Sequence, residues 1–138
     1  MNAMQKNYLE REVESASPAK LVLMLYDGAL SAIKKAEVEI AAKHVPEAHH
    51  QLMKAQDIVL HLANSLNLEQ GGIIAQNLYL LYDFIYDALV RSNLKKDPEP
   101  LQKVKEILTL IRDGWDDGVV QGKPPPVSVA AEEEIPVT

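Results

Sequence analysis

Gly71-Gly72-Ile73-Ile74-Ala75-Gln76-Asn77-Leu78-Tyr79-Leu80-Leu81-Tyr82-Asp83-Phe84-Ile85-Tyr86-Asp87-Ala88-Leu89 is the stretch on which the fold turns. At about 100° per residue, Ile74, Leu78, Leu81, Ile85 and Ala88 form one tight helical stripe, which Tyr82 and Leu89 widen. Ile73, Leu80 and Phe84 make a second apolar flank, and Tyr79, Tyr86 and Val90 a third. Only Gln76, Asp83 and Asp87 mark a polar strip. A helix apolar nearly all round expects cover on nearly all sides. A chain of 138 residues has few elements to supply it, so the excess must be met by the chain's own termini or by a partner.

Upstream, Ser17-Pro18 has the chemistry of a helix start: a serine hydroxyl to accept from orphan N–H groups, and a proline suited to the first turn. A first helix is expected from there to Lys43, with Leu21, Leu25, Ala29, Ala32, Ala36 and Ile40 as its core face. Its opening, Leu21 to Tyr26, is again apolar on every side. Gly28 inside it costs roughly 1 kcal/mol against alanine, which implies close approach of a neighbouring helix. After the break Lys43-His44-Val45-Pro46, a second helix runs from Glu47 to Leu66. There Ala48, Leu52, Ala55, Val59, Leu62 and Leu66 step by four and three as a heptad seam.

The glycines of Asn67-Leu68-Glu69-Gln70-Gly71-Gly72 provide the positive φ of a turn. The third helix continues to Leu94, and Lys95-Lys96-Asp97-Pro98-Glu99-Pro100 interrupts it. A fourth follows to Gly118, seamed by Leu101, Val104, Leu108, Ile111 and Trp115. Short loops between long helices force antiparallel neighbours. The predicted fold is all-α, an antiparallel up-down-up-down four-helix bundle over 17–121. Residues 1–16 form a short N-terminal helix or cap that carries Tyr8 and Leu9. Residues 122–138, with Lys123-Pro124-Pro125-Pro126 and Glu132-Glu133-Glu134, bury too little to fold and are expected to be a disordered tail.

Composition narrows the function. The formal net charge of −6 argues against nucleic acid or an anionic membrane, since counterion release needs a basic surface. There are no cysteines, hence no disulfide or thiolate metal site. Neither a signal peptide nor an apolar run long enough to span a bilayer is present, so a cytoplasmic address is expected. A di-iron bundle needs Glu-x-x-His on each of two helices. Glu47-Ala48-His49-His50 contains one such spacing, but His61 has Ile58 three residues before it. An exposed histidine pair at a helix start explains the motif better. Asp113, Asp116 and Asp117 read as a solvated acidic helix end. No catalytic residue, metal site or cofactor is expected. Tyr79, Tyr82 and Tyr86 share one side of the third helix, with Tyr26 near; tyrosine suits an interface, and equally a core edge.

Two motifs then carry a resemblance. Ser15-Ala16-Ser17-Pro18 leads into Leu25-Tyr26-Asp27-Gly28. Gly71-Gly72-Ile73-Ile74-Ala75-Gln76-Asn77-Leu78 leads into Leu81-Tyr82-Asp83-Phe84. Together with Tyr8, Asn93 and Leu110-Ile111-Arg112-Asp113-Gly114-Trp115, this pattern resembles the flagellar secretion chaperone FliS family from residue 8 to about 118. Ile73, Gln70 and Gly114 depart from the family's usual Glu, Lys and Ala. The resemblance implies a chaperone that binds the disordered C-terminal segment of flagellin, prevents early polymerisation and aids delivery to the export apparatus. By the same resemblance Tyr8, Tyr26, Asn77, Leu78, Leu81 and Tyr82 contribute to client binding, and the segment carrying Tyr8 covers part of the groove when no client is present. The alternatives are a helical-bundle metalloenzyme and a bundle that covers its surplus by self-association.

Overall fold

A computed structural model describes residues 18–120, with side chains placed through Asp116. The expected cap 1–16, Ser17, Tyr8, the Asp117 side chain and the tail 122–138 lie outside the described residues. Four helices follow in order: α1 Pro18–Ala41, α2 Val45–Asn64, α3 Gly72–Lys95 and α4 Glu99–Val120. Each packs on the next, and α4 closes the ring against α1. This is the antiparallel four-helix bundle that the loop lengths require.

The two seamed helices behave as their spacing dictates. Ala48, Leu52, Ala55, Val59 and Leu62 of α2 are buried, as are Leu101, Val104, Leu108 and Trp115 of α4. Leu66 and Ile111 pack against this core while partly exposed. Gly28 lies where α1 meets α2, and a Cβ built on it would stand 3.4 Å from Ile58 Cδ1. The start of α4 is capped by Asp97, whose Oδ1 accepts the Glu99 N–H at 3.0 Å. Its far end is tied to α1 by Trp115 Nε1, which donates to the Ala19 carbonyl at 2.8 Å. Two ion pairs brace α4 on α1, Lys105 with Glu37 and Arg112 with Asp27, each at 2.8 Å.

The other two helices are turned from the expected register. In α1 the core side chains are Val22, Tyr26, Ala29, Leu30, Ala32, Ile33 and Ala36, whereas Leu21, Leu25 and Ile40 are only half-buried. In α3 Ala75, Leu78, Tyr82, Ile85, Ala88, Leu89, Ser92 and Asn93 are buried, while Ile74 and Leu81, expected inside, are exposed. The buried stripe of α3 is rotated by about 40° from the expected one at 100° per residue. Polar partners account for the turn. The Tyr82 and Tyr26 hydroxyls are hydrogen-bonded to each other in the core, and Asn93 Nδ2 lies 3.0 Å from His49 Nδ1 of α2. Burying Ile74 and Leu81 instead would swing both polar groups away from their partners, and an unmade buried hydrogen bond costs about 1–3 kcal/mol.

In the turn before α3, Gly71 is ordinary and only Gly72 has a positive φ, of 58°. A Cβ there would meet nothing, so the requirement is conformational. Gly114 is different. It lies inside α4 with a helical backbone, and a Cβ would again meet nothing within 4 Å. Gly114→Ala is therefore expected to stabilise the bundle by about 0.5–1 kcal/mol, raising Tm by several degrees in a thermal circular-dichroism melt.

Candidate functional site

The rotation of α3 decides what it leaves at the surface. Ile73, Ile74, Leu80, Leu81 and Phe84 are 67%, 54%, 65%, 39% and 45% exposed, and Asn77 is exposed among them. On the wheel these six fall within an arc of about 120°, and from Ile73 to Phe84 the strip rises about 16 Å. Contacts on the neighbouring helices fix where the arc points. Asn93 reaches α2 through His49, which marks the opposite flank of α3. On α4, Gln102, Lys105 and Arg112 reach α1, so Ile107, Ile111 and Gly114 lie on the flank toward α3. Leu110, 74% exposed, is next to that flank. The strip on α3 and the apolar edge of α4 thus form one greasy surface along the α3–α4 seam.

A second apolar feature lies on the α2 side. Val59, Leu60, Ala63, Asn64, Tyr79, Tyr82, Asp83 and Tyr86 enclose a cleft of about 230 Å³. The three tyrosines expected to share a side do so here. Tyr82 is its buried floor, and Tyr26 lies beneath, the two rings 6.5 Å apart and tilted by 38°. Between strip and cleft, the outer surface of α3 carries a shallow depression lined by Leu80, Asp83, Phe84, Tyr86, Asp87 and Val90. Isolated exposed apolar side chains need no explanation, but a contiguous set along one helix does.

Of the six residues inferred from the resemblance, the five that are described do not share one surface. Asn77 and Leu81 are on the exposed strip. Tyr26, Leu78 and Tyr82 are buried at 0%, 8% and 2% exposure, so in this packing the two tyrosines support the surface from below. Tyr8 is outside the described residues. Ile73, Leu80 and Phe84 were legible as an apolar flank, yet nothing in the sequence says that this flank, rather than the one with Ile74 and Leu81, faces outward.

Burial pushes the Tyr26 hydroxyl up to about 12, and burial pushes Tyr82 well above its ordinary value too. A neutral form favoured in the folded state leaves stability unchanged below the unfolded pKa of about 10 and erodes it as pH rises toward 12. A shift of this size corresponds to roughly 2–3 kcal/mol. Alkaline unfolding followed by circular dichroism is expected to set in above pH 10. Tyr26→Phe combined with Tyr82→Phe removes both ionisations and moves the midpoint upward; Tyr82→Phe alone strands the Tyr26 hydroxyl and lowers stability at neutral pH by about 1–3 kcal/mol.

Among the described residues no group of three or more His, Cys, Asp or Glu is placed to hold a metal ion. His49 is engaged by Asn93. His50 lines an open depression with Lys35, Glu39, Pro46, Glu47 and Gln51. Asp113 and Asp116 gather on the Arg112 guanidinium together with Asp27, so this end of α4 is ion-paired as well as solvated. Among the described residues no helix is long and apolar enough to cross a membrane.

Comparison with known proteins gives a consistent result. The family model described as flagellar protein FliS matches residues 1–122. The chain is 35% identical over 116 residues to the flagellar secretion chaperone FliS of Vibrio cholerae, covering 84% of this chain and 85% of that protein. It is 37% identical over 108 residues to the FliS of Salmonella typhimurium, covering 78% and 80%. It is 32% identical over 112 residues to that of Bacillus subtilis, covering 81% and 83%.

Proposed function

The chain belongs to the FliS family of flagellar proteins, and on that premise we propose that it is a flagellar secretion chaperone whose client is the C-terminal segment of flagellin. It acts in the cytoplasm, holds the segment against premature polymerisation and helps deliver it to the export apparatus. The role is stoichiometric binding, without catalysis, metal or cofactor. The observation that carries the reading is the apolar strip of α3, exposed on a bundle that belongs to a family of secretion chaperones. A segment disordered when free offers spaced apolar side chains along an amphipathic helix or extended strand, and a long apolar groove is the complementary shape.

Within this reading Leu80, Leu81 and Phe84 supply apolar contact. Asn77 sits among them with an amide able to donate to and accept from a client backbone. Tyr82 and Leu78 shape the surface from within, with Tyr26 beneath, and Tyr8 joins the set on the family resemblance alone. Titration calorimetry with the C-terminal segment of the flagellin encoded in the same genome is expected to give a one-to-one complex. Asn77→Ala is expected to weaken it roughly five- to tenfold, the worth of about one hydrogen bond, with the circular-dichroism spectrum unchanged. No heat and no co-sedimentation with a folded chain would sink the proposal; a chain that self-associates and ignores the segment would replace it with a self-covering bundle.

A further inference from the structure

The family match ends at residue 122, and the sequence continues through Lys123-Pro124-Pro125-Pro126-Val127-Ser128-Val129-Ala130-Ala131-Glu132-Glu133-Glu134. Antiparallel order places the C-terminal end of α4 level with the N-terminal end of α3, where the exposed strip begins at Ile73 and Ile74. α4 therefore ends, at Val120, by the mouth of the α3–α4 seam. At the other end of the seam are cations. Arg91 lies on the same arc of α3 as Ile73, Leu80 and Phe84, with Lys95 one turn further, and Lys103 is on the outer side of α4. Arg91 and Lys103 pair with exposed carboxylates, Asp87 and Glu106, and such pairs yield readily to a better partner.

Length and charge fit the seam together. From Ile73 to Lys95 α3 rises about 33 Å. After a reversal at Gly122, Lys123 to Glu132 reaches about 30 Å at 3.1–3.3 Å per residue, and the three prolines hold the leading part extended. An extended path of that length would set Val127 and Val129 level with Leu80 and Phe84, and Glu132-Glu133-Glu134 level with Arg91, Lys95 and Lys103. We infer that residues 123–134 fold back along the α3–α4 seam as an intramolecular occupant of the apolar strip that the client must displace. This rests on the client reading only for its regulatory sense; docking of the extension is a separate physical claim. Tethering supplies an effective concentration in the millimolar range, so a weak contact suffices to hold it.

The test uses the full chain. Because there are no cysteines, Ser128→Cys carries a single nitroxide, and its paramagnetic broadening of backbone amide signals maps where the extension lies. Broadening is expected along α3 around Leu80 to Arg91. It should fade in Glu132→Gln/Glu133→Gln/Glu134→Gln and on saturation with the flagellin C-terminal peptide. The same triple substitution, without the label, is expected to tighten peptide binding roughly two- to tenfold by removing the competitor. Broadening confined to the end of α4 and the first turn of α3, or unchanged in the triple variant, overturns the inference. Broadening along α3 in a chain that fails to bind the peptide upholds the docking and defeats the client reading instead.

Discussion

Leu80→Glu combined with Phe84→Glu is expected to weaken binding of the flagellin C-terminal segment by at least 100-fold while leaving the melt nearly unchanged. Both side chains are about half or more exposed in the free bundle, so the fold loses little when they become charged; surface substitutions of this kind usually change stability by less than about 0.5 kcal/mol. A client lying along the strip as proposed would cover the same positions. Completing the burial of a leucine and a phenylalanine is worth roughly 1–2 kcal/mol each, and a carboxylate in their place must be desolvated without a partner, which costs more still. A loss of about 2.8 kcal/mol is already 100-fold. Asp83 and Asp87 border this surface, so two further carboxylates also add like-charge repulsion. The comparison of calorimetric affinity with thermal midpoint separates a surface effect from a folding effect.

Trp115→Ala should show the reverse pattern, with the fold failing first. Trp115 is 1% exposed and heads the largest fully buried side chains of the bundle. It sits near the end of α4 and ties it to the start of α1 through the Ala19 carbonyl. Deleting a buried tryptophan costs about 3–5 kcal/mol, a large part of the 5–15 kcal/mol that holds a typical domain together. A fall in Tm of roughly 15–30 °C is expected for a domain of this size, with early loss of order where α1 and α4 meet. Trp115→Phe keeps most of the apolar volume and gives up the hydrogen bond, so its cost should be about 1–2 kcal/mol. Equal costs for the two variants in denaturant titrations would show that packing around the indole matters less than its buried position implies.

These contrasting outcomes follow from how differently the helices could be read. The seams of α2 and α4 repeat by four and three with polar residues between, so one face alone can be buried, and Leu52, Val59, Leu101 and Leu108 are where the spacing puts them. α3 offers apolar side chains in nearly every direction, and periodicity cannot choose among faces of equal hydrophobicity. Its orientation is set instead by two polar contacts that exist only after folding, Tyr82 with Tyr26 and Asn93 with His49. That is why Ile74 and Leu81 were expected inside and lie outside. Leu78 lies in both the expected and the observed stripe, and Tyr82 with Tyr26 makes one of the orienting contacts, so these three, named from family likeness as contact residues, lie beneath the surface. The excess itself was legible, because a helix that packs chiefly on α2 and α4 among the described residues leaves part of three apolar flanks uncovered.

The most direct test of that excess is the heat-capacity change on binding the flagellin C-terminal segment, taken from calorimetric titrations at several temperatures. Burial of apolar surface gives a negative value, at about 0.45 cal/K/mol per Å². A client laid along the α3 strip and folding as it binds predicts a change on the order of −0.3 to −1 kcal/mol/K. A value near zero for a complex that nevertheless forms would mean that the exposed strip is not what the client covers.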